Sequence, residues 1–332
     1  MVSEIQDVII VGGGPAGLGA ALYTSRDRLK TLIVEKFIPG GQIINTDRIE
    51  NYPVFDAIDG ASLIMKMQQQ VEGFGACLKQ ASEVTALEKR LDGMIEVVCG
   101  KEALTARAVI LSPGSSYRKL GVPGEDEFRN AGAGVSYCGT CDAPFFRDKE
   151  VVAVGGGNTA VEEALHLTKY ANKVTLVHRR DEFRAAQILI DELQEKVNAL
   201  DSNLVLRYDS VATAIEGDGR VQSIKLKNVK TDEVEDYPCD GVFIFVGTVP
   251  NTDFLQGTID LSGSGFIKCD SAHLRTSMPG VFVAGDCRVG ADMQLITAVA
   301  DGVTAAMALK EYYRDPQWWN STDEDLLQFG GF

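Results

Sequence analysis

Two short glycine-rich turns, each entered from an apolar strand and left through a helix, constrain the fold of this chain more than any other feature. In the first, Asp7-Val8-Ile9-Ile10-Val11 runs into Gly12-Gly13-Gly14-Pro15-Ala16-Gly17, then a helical stretch from Leu18 to Ser25 and a second apolar run, Thr31-Leu32-Ile33-Val34. In the second, Glu150-Val151-Val152-Ala153-Val154 runs into Gly155-Gly156-Gly157-Asn158-Thr159-Ala160, a helix over Val161 to Tyr170, and the run Lys173-Val174-Thr175-Leu176-Val177. Short continuous apolar runs suit strands buried on both faces of a parallel sheet. Glycines at this spacing let the backbone turn tightly and bring a helix N-terminus up to a pyrophosphate. Two such units predict an α/β protein with two dinucleotide sites.

The residues that end each unit distinguish the two sites. The first closes on Glu35, just over twenty positions after Gly12, where a carboxylate can accept hydrogen bonds from a free ribose. The second closes on His178-Arg179-Arg180, with Arg184 following. A carboxylate repels a ribose phosphate, whereas guanidinium groups bind one through charge-assisted, bidentate contacts. The first site therefore suits a nucleotide such as FAD and the second a 2′-phosphorylated one such as NADPH. The alternative for the basic cluster is a solvated surface whose arginines pair with Asp181 and Glu182.

Between the two turns stands Cys138-Gly139-Thr140-Cys141. The chain has seven cysteines, an odd number, and the other five (Cys77, Cys99, Cys239, Cys269, Cys287) stand alone at irregular spacings, which is no disulfide framework. A zinc site would need a second ligand pair, and the chain offers no other Cys-x-x-Cys and only His166, His178 and His273. A close Cys pair in a reducing compartment is then a redox dithiol. The net charge of −15 excludes nucleic acid and anionic membrane as partners, since both call for a basic footprint, and leaves a basic or mixed-charge protein partner open. No apolar run approaches the roughly 18 residues of a spanning helix, and Met1 to Asp7 has no cationic start, so a cytoplasmic location is expected.

At 332 residues the chain exceeds the size at which one core keeps growing. The run Ala108-Val109-Ile110-Leu111 ends in Ser112-Pro113-Gly114 and marks a first crossing near Tyr117; Gly241 to Val246 leads to Gly247-Thr248-Val249-Pro250-Asn251, a return crossing. Val281-Phe282-Val283-Ala284 then runs into Gly285-Asp286. One domain inserted into another is expected: residues 1–117 and 246–332 as the outer domain, 118–245 as the insert carrying the dithiol, and 314–332 as an aromatic tail.

From about Val8 to Tyr313 the chain resembles the low-molecular-weight, bacterial-type thioredoxin reductases. The resemblance is carried by Gly12 to Gly17, Gly40-Gly41-Gln42, Glu50-Asn51-Tyr52-Pro53, Cys138 to Asp142, Gly155 to Ala160, His178 to Arg184, Pro250-Asn251-Thr252, and Gly285-Asp286 with Gln294-Leu295-Ile296-Thr297. It implies two Rossmann-like, three-layer (ββα/βαβ) nucleotide-binding domains, one inserted into the other, and a homodimer. FAD would be held by Gly12, Gly14, Pro15, Ala16, Gly17, Glu35, Lys36, Gly41, Gln42, Asn51, Val84, Gly114, Gly285, Asp286, Gln294, Leu295 and Ile296. NADPH would be held by Gly157, Asn158, Thr159, His178, Arg179, Arg180 and Arg184. Cys141 would be the flavin-side sulfur and Cys138 the one that attacks a thioredoxin or thioredoxin-like disulfide. Asp142 would exchange protons with the thiolates, or cap the Ala143 to Arg147 segment, or do both.

Three departures from the family pattern stand out: Ser112-Pro113-Gly114 in place of Ala-Thr-Gly, Asn158 in place of Asp, and Met293 in place of Arg before Gln294. Asn158 lies at a helix N-terminus expected to face pyrophosphate. The chain also continues past Tyr313 with Trp318-Trp319, a capping box formed by Ser321 and Glu324, and Gln328-Phe329-Gly330-Gly331-Phe332. These aromatics either staple the tail to the core or to a dimer partner, or Trp319, Phe329 or Phe332 covers the flavin face. The leading reading is an NADPH-dependent thioredoxin reductase. The same enzyme fed by another donor, such as ferredoxin, comes second, followed by a flavin dithiol oxidase passing electrons to oxygen and a flavin-bound redox sensor without turnover.

Overall fold

A computed structural model of the chain describes residues 4–46 and 48–321. The chain divides into two compact units, one built from both chain ends, up to Ser116 and from Val249 on, and the other spanning Tyr117–Thr248.

The first unit begins with β1 (Gln6–Val11), the first glycine turn, α1 (Pro15–Arg26) and β2 (Thr31–Val34). Helix α2 (Gly60–Gly73) starts where the Asp59 carboxylate accepts the Ser62 N–H at 2.8 Å, and it leads to β3 (Cys77–Lys79), β4 (Ala86–Lys89), β5 (Ile95–Cys99) and β6 (Glu102–Leu111). The chain crosses through β7 (Ser115–Tyr117) into the second unit: α3 (Glu125–Asn130), β8 (Val135–Ser136), α4 (Gly139–Asp142), β9 (Glu150–Gly155), α5 (Asn158–Leu167), β10 (Lys173–Val177), α6 (Gln187–Asn198) and β11 (Leu204–Arg207). An antiparallel meander follows, β12 (Ser210–Gly217), β13 (Val221–Asn228) and β14 (Val234–Pro238), then β15 (Gly241–Phe245). Strand β16 (Thr248–Pro250) pairs with β7, and the chain closes through β17 (Val281–Val283) and α7 (Leu295–Arg314).

The expected α/β class is borne out. In the first unit the strands order as β3-β2-β1-β6-β5-β4, with β3, β2, β1 and β6 parallel. The far side of β6 is shared: its first half pairs antiparallel with β5 (Ile95 opposite Ala106), and its second half pairs parallel with β17 (Phe282 opposite Ile110). In the second unit the parallel order is β11-β10-β9-β15-β8. Val8 to Ile10, Ile110, Leu111 and Phe282 are fully buried, which is why these strands read as unbroken apolar runs rather than alternating ones. The topology aligns the carboxyl ends of β2, β1, β6 and β17 on one sheet edge, and those of β10, β9, β15 and β8 on the edge of the other sheet. In open parallel sheets this edge is where ligands bind.

Helices α1 and α7 pack backbone to backbone over the first sheet. A Cβ on Gly302 would lie 2.0 Å from the Ala16 carbonyl oxygen, and one on Gly19 would lie 2.8 Å from that of Val299. Beyond α7, Asp315 caps a short turn through the Gln317 N–H at 2.9 Å. The Arg275 guanidinium, anchored on Asp270, shares one NH2 among the carbonyls of Trp318, Trp319 and Ser321, each at 3.2 Å. Trp319 meets Phe282 and Tyr312 edge-on at 5.0 and 5.4 Å between ring centroids. The start of the tail is thus a staple on the first unit's core. The Trp319 ring is engaged on Phe282 and Tyr312, which favours the staple over the flavin cover. Phe329, Phe332 and Glu324 of the capping box lie outside the described residues. No helix among the described residues is long and apolar enough to cross a membrane.

Candidate functional site

At the first sheet edge the glycine turn is sterically locked. Gly12 has φ +102°, and a Cβ there would lie 2.2 Å from the Ser112 carbonyl oxygen. A Cβ on Gly17 would lie 1.9 Å from the Gly12 carbonyl oxygen. The Ser112 hydroxyl lies 3.0 and 3.1 Å from the Val11 and Gly12 carbonyls. This departure from the family pattern therefore braces the turn. Gly14 and Pro15 open α1, and Ala16 is buried behind them. Glu35 follows β2, where its carboxylate accepts the Gly13 N–H at 2.7 Å and the Phe37 N–H at 2.9 Å, so it is anchored at the turn.

Around this edge, Gly41 and Gln42 open a 3-10 turn, with the Gln42 amide donating to the Ser115 carbonyl at 2.5 Å. Val84 is buried, and Gly114 has φ +68°. Gly285 (φ +79°) and Asp286 follow β17; the Gly285 N–H donates at 3.0 Å to Asp301, whose carboxylate also holds Arg288 through contacts of 2.6 and 2.9 Å. Burial pushes the Asp286 carboxyl up to about 6, with Asp301 adding to the rise and Arg288 opposing it. Gln294 stands at the N-cap position of α7 without a side-chain capping bond, and Leu295 and Ile296 form its first turn. Met293, in the place of the family's Arg, takes φ +54°. Of the other expected residues, Lys36 pairs with Glu83 at 2.8 Å, and Asn51 lies exposed in a bend.

At the second sheet edge, Gly157 caps α5, Thr159 is exposed, and the loop after β10 folds back onto the glycine turn through the Arg184 N–H, which donates to the Gly156 carbonyl at 2.8 Å. Arg179, Arg180 and Arg184 are exposed. Asp181 does not pair with them; it binds Lys230 at 3.2 Å, and Lys230 also holds Asp209 at 2.8 Å. Among the described residues none of the three arginines has an ion-pair partner. Two expectations change here. His178 is 4% exposed and stacks on Phe183, and a Cβ on Gly156 would lie 2.0 Å from its ring. It is a packing residue beneath the turn, and burial holds its pKa below the usual imidazole value. Asn158 does not turn its side chain to the pyrophosphate position; it accepts the Ala186 N–H at 2.8 Å and ties down the start of α6.

Strand β8 delivers the dithiol to this same edge, two strands from the glycine turn through β15. Cys138 and Cys141 form a disulfide with Cα atoms 5.3 Å apart; Cys141 is exposed and Cys138 half-buried. The Cys138 sulfur accepts the Cys141 N–H at 3.2 Å. Asp142 does not cap the following turn. Its carboxylate accepts the Ser136 hydroxyl at 2.6 Å, and Ser136 in turn accepts the Cys138 N–H at 3.1 Å. Burial raises the Asp142 carboxyl above its usual range, with the Ser136 hydrogen bond and Arg129 opposing. Sequence reasoning missed two further carboxylates. Glu125, 1% exposed, accepts the N–H groups of Leu120 and Gly121 at 3.0 and 2.7 Å and the Tyr137 hydroxyl at 2.6 Å. Glu163 of α5 accepts the Thr140 N–H at 2.7 Å and its hydroxyl at 3.0 Å.

Residues 6–302 match the family described as "Pyridine nucleotide-disulphide oxidoreductase". The chain is 44% identical to the thioredoxin reductase of Listeria innocua serovar 6a over 322 residues, 95% of this chain and 97% of that one. It is also 44% identical to that of Peptoclostridium acidaminophilum over 320 residues, 94% and 98% of the two chains. The crystal structure of thioredoxin reductase from Streptococcus pyogenes MGAS5005 superposes with a TM-score of 0.86 at 41% identity, covering 93% of this chain and 98% of that one. A disulfide held beside a nucleotide-type glycine turn, in a chain matched nearly end to end by these relatives, places it among the pyridine nucleotide-disulphide oxidoreductases, in the thioredoxin reductase family.

Proposed function

We propose that the protein takes two electrons from NADPH through FAD to the Cys138–Cys141 disulfide, and from there to the disulfide of a thioredoxin or thioredoxin-like protein. The unit built from the chain ends would hold FAD and the inserted unit NADPH; bound, these groups supply hydride acceptance and two-electron reduction of the disulfide. Both sites fit. Gly12 and Gly17 leave no room for side chains in the turn that the anchored Glu35 closes, and Asp286 is a buried carboxyl at the same edge that hydroxyl groups could satisfy. Arg179, Arg180 and Arg184 offer guanidinium groups that no carboxylate among the described residues occupies.

The exchange half-reaction follows from the dithiol's surroundings. The Cys141 N–H directed at Sγ of Cys138 stabilises negative charge there, which favours Cys138 as the attacking thiolate. Cys138 bonds to one sulfur of the partner's disulfide and the other sulfur leaves as a thiolate; Cys141 then displaces the partner's remaining sulfur and restores Cys138–Cys141. The partner gains two electrons and two protons. A carboxyl raised by burial holds a proton more readily than an ordinary one, so Asp142 would return protons to the departing thiolates, with Ser136 fixing its orientation. A homodimer in a reducing cytoplasm completes the proposal, consistent with five cysteines left as free thiols.

The single observation that carries the reading is the disulfide on the same sheet edge as the glycine turn and three arginines without an ion-pair partner among the described residues. Anaerobic mixing of the purified protein with NADPH, and separately with NADH, tests the donor. Rapid loss of the flavin's visible absorbance with NADPH and slow loss with NADH is expected. No bleaching by NADPH, with turnover driven by reduced ferredoxin, would replace the donor; peroxide formation without thioredoxin would replace the acceptor.

A further inference from the structure

We propose that Glu163 is a positioning residue that holds the Cys138–Cys141 turn closed and makes the dithiol a stronger reductant; this rests on the reading of that pair as the redox centre. Glu163 lies on α5, the helix that leaves the second glycine turn, and its carboxylate closes on Thr140, the second of the two residues between the cysteines. One oxygen accepts the Thr140 N–H at 2.7 Å and the other accepts its hydroxyl at 3.0 Å. Gly139 provides the room: a Cβ there would lie 2.2 Å from the nearer carboxylate oxygen.

Two effects follow, and both favour the disulfide. The balance between a disulfide and its dithiol depends on how closely the two sulfurs are held when unbonded, because fixing two groups in place raises the effective concentration of one about the other. Thr140 lies in the short turn that joins the two cysteines, so the two charge-assisted hydrogen bonds that fix it also fix their separation. In addition, the carboxylate bonded to Thr140, two residues from Cys138, disfavours ionisation of the Cys138 thiol in the opened form. Reduction adds two electrons and two protons and yields two thiols, so a device that penalises the open form lowers the potential. A lower potential is what a dithiol needs to pass its electrons onward to another protein's disulfide.

The test is an equilibrium measurement on the flavin-loaded protein that needs neither NADPH nor thioredoxin. Enzyme is held anaerobically in graded glutathione buffers, in which two glutathione thiols become glutathione disulfide as Cys138–Cys141 opens, then acid-quenched and alkylated, and the two cysteines are counted by mass. Glu163→Ala is expected to shift the equilibrium constant about tenfold toward the dithiol, a rise of about 30 mV. Glu163→Gln, which keeps an acceptor oxygen without the charge, is expected to recover part of that shift. A Glu163→Ala value within threefold of the parent overturns the proposal, as does a shift in the opposite direction. Should Glu163→Ala fail to fold or to retain flavin, Thr140→Val removes only the hydroxyl contact: a shift of about threefold toward the dithiol supports the proposal and an unchanged value overturns it. Failure of NADPH to bleach the flavin would overturn the donor assignment and leave this result standing.

Discussion

Replacing Arg179 and Arg180 together by alanine removes two of the three guanidinium groups that the second sheet edge presents without ion-pair partners among the described residues. A hydrogen bond to a charged group is worth about 1.5–3 kcal/mol. Both arginines are exposed, which places them at the lower end of that range. Losing two such contacts removes about 3 kcal/mol, on the order of a hundredfold in kcat/KM for NADPH at about 1.4 kcal/mol per tenfold. NADH has no 2′-phosphate, so its kcat/KM should change by less than about threefold. Steady-state kinetics with each coenzyme, coupled to thioredoxin reduction, give both ratios. An equal fall with the two coenzymes would mean that the substitutions disturbed the turn rather than a phosphate site, and no change with either would mean that the cluster is solvated surface. Both outcomes refute the reasoning.

Two further predictions concern the first unit. Because burial holds the Asp286 carboxyl up at about 6, ionising it costs folded-state stability. That cost is absent below about pH 3.8 and complete above about pH 6, so in cofactor-stripped protein Asp286→Asn should stabilise by about 2–3 kcal/mol at pH 7 and by little at pH 4. Urea midpoints at the two pH values read this; equal effects at both would remove the titration as the cause. Trp319→Ala should cost about 2 kcal/mol in urea unfolding, less than for a fully buried ring, and leave the rate of flavin bleaching unchanged. Faster bleaching would restore the flavin-covering role.

The βαβ units were legible because their signals are local: a strand, a turn, a helix and a closing side chain within thirty residues. Glu35 is the clearest case: the strand, turn, helix and strand before it placed it at the glycine turn, where its carboxylate accepts the Gly13 N–H. The basic cluster was legible as charge but not as geometry. His178 sits beside two arginines in sequence, yet β10 ends by turning its ring inward onto Phe183 beneath Gly156, and only tertiary packing decides that direction. Asn158 and Ser112 were visible as departures, but their backbone partners, Ala186 and the Val11 and Gly12 carbonyls, lie 28 and about 100 residues away. Glu163 gave no signal at all. Twenty-three residues separate it from Thr140, and only the packing of α5 against the dithiol turn brings them together. The strand that delivers the dithiol, Val135–Ser136, is two residues long and too short to show a period.

The central claim is that electrons reach the partner protein through Cys138. Cys138→Ser tests it by stopped-flow and coupled assay on one preparation: the flavin should still bleach with NADPH at close to the parent rate, while thioredoxin reduction should fall by at least about a thousandfold, as expected when the sulfur assigned to the mixed disulfide is removed. Thioredoxin reduction that persists in this variant would contradict the account.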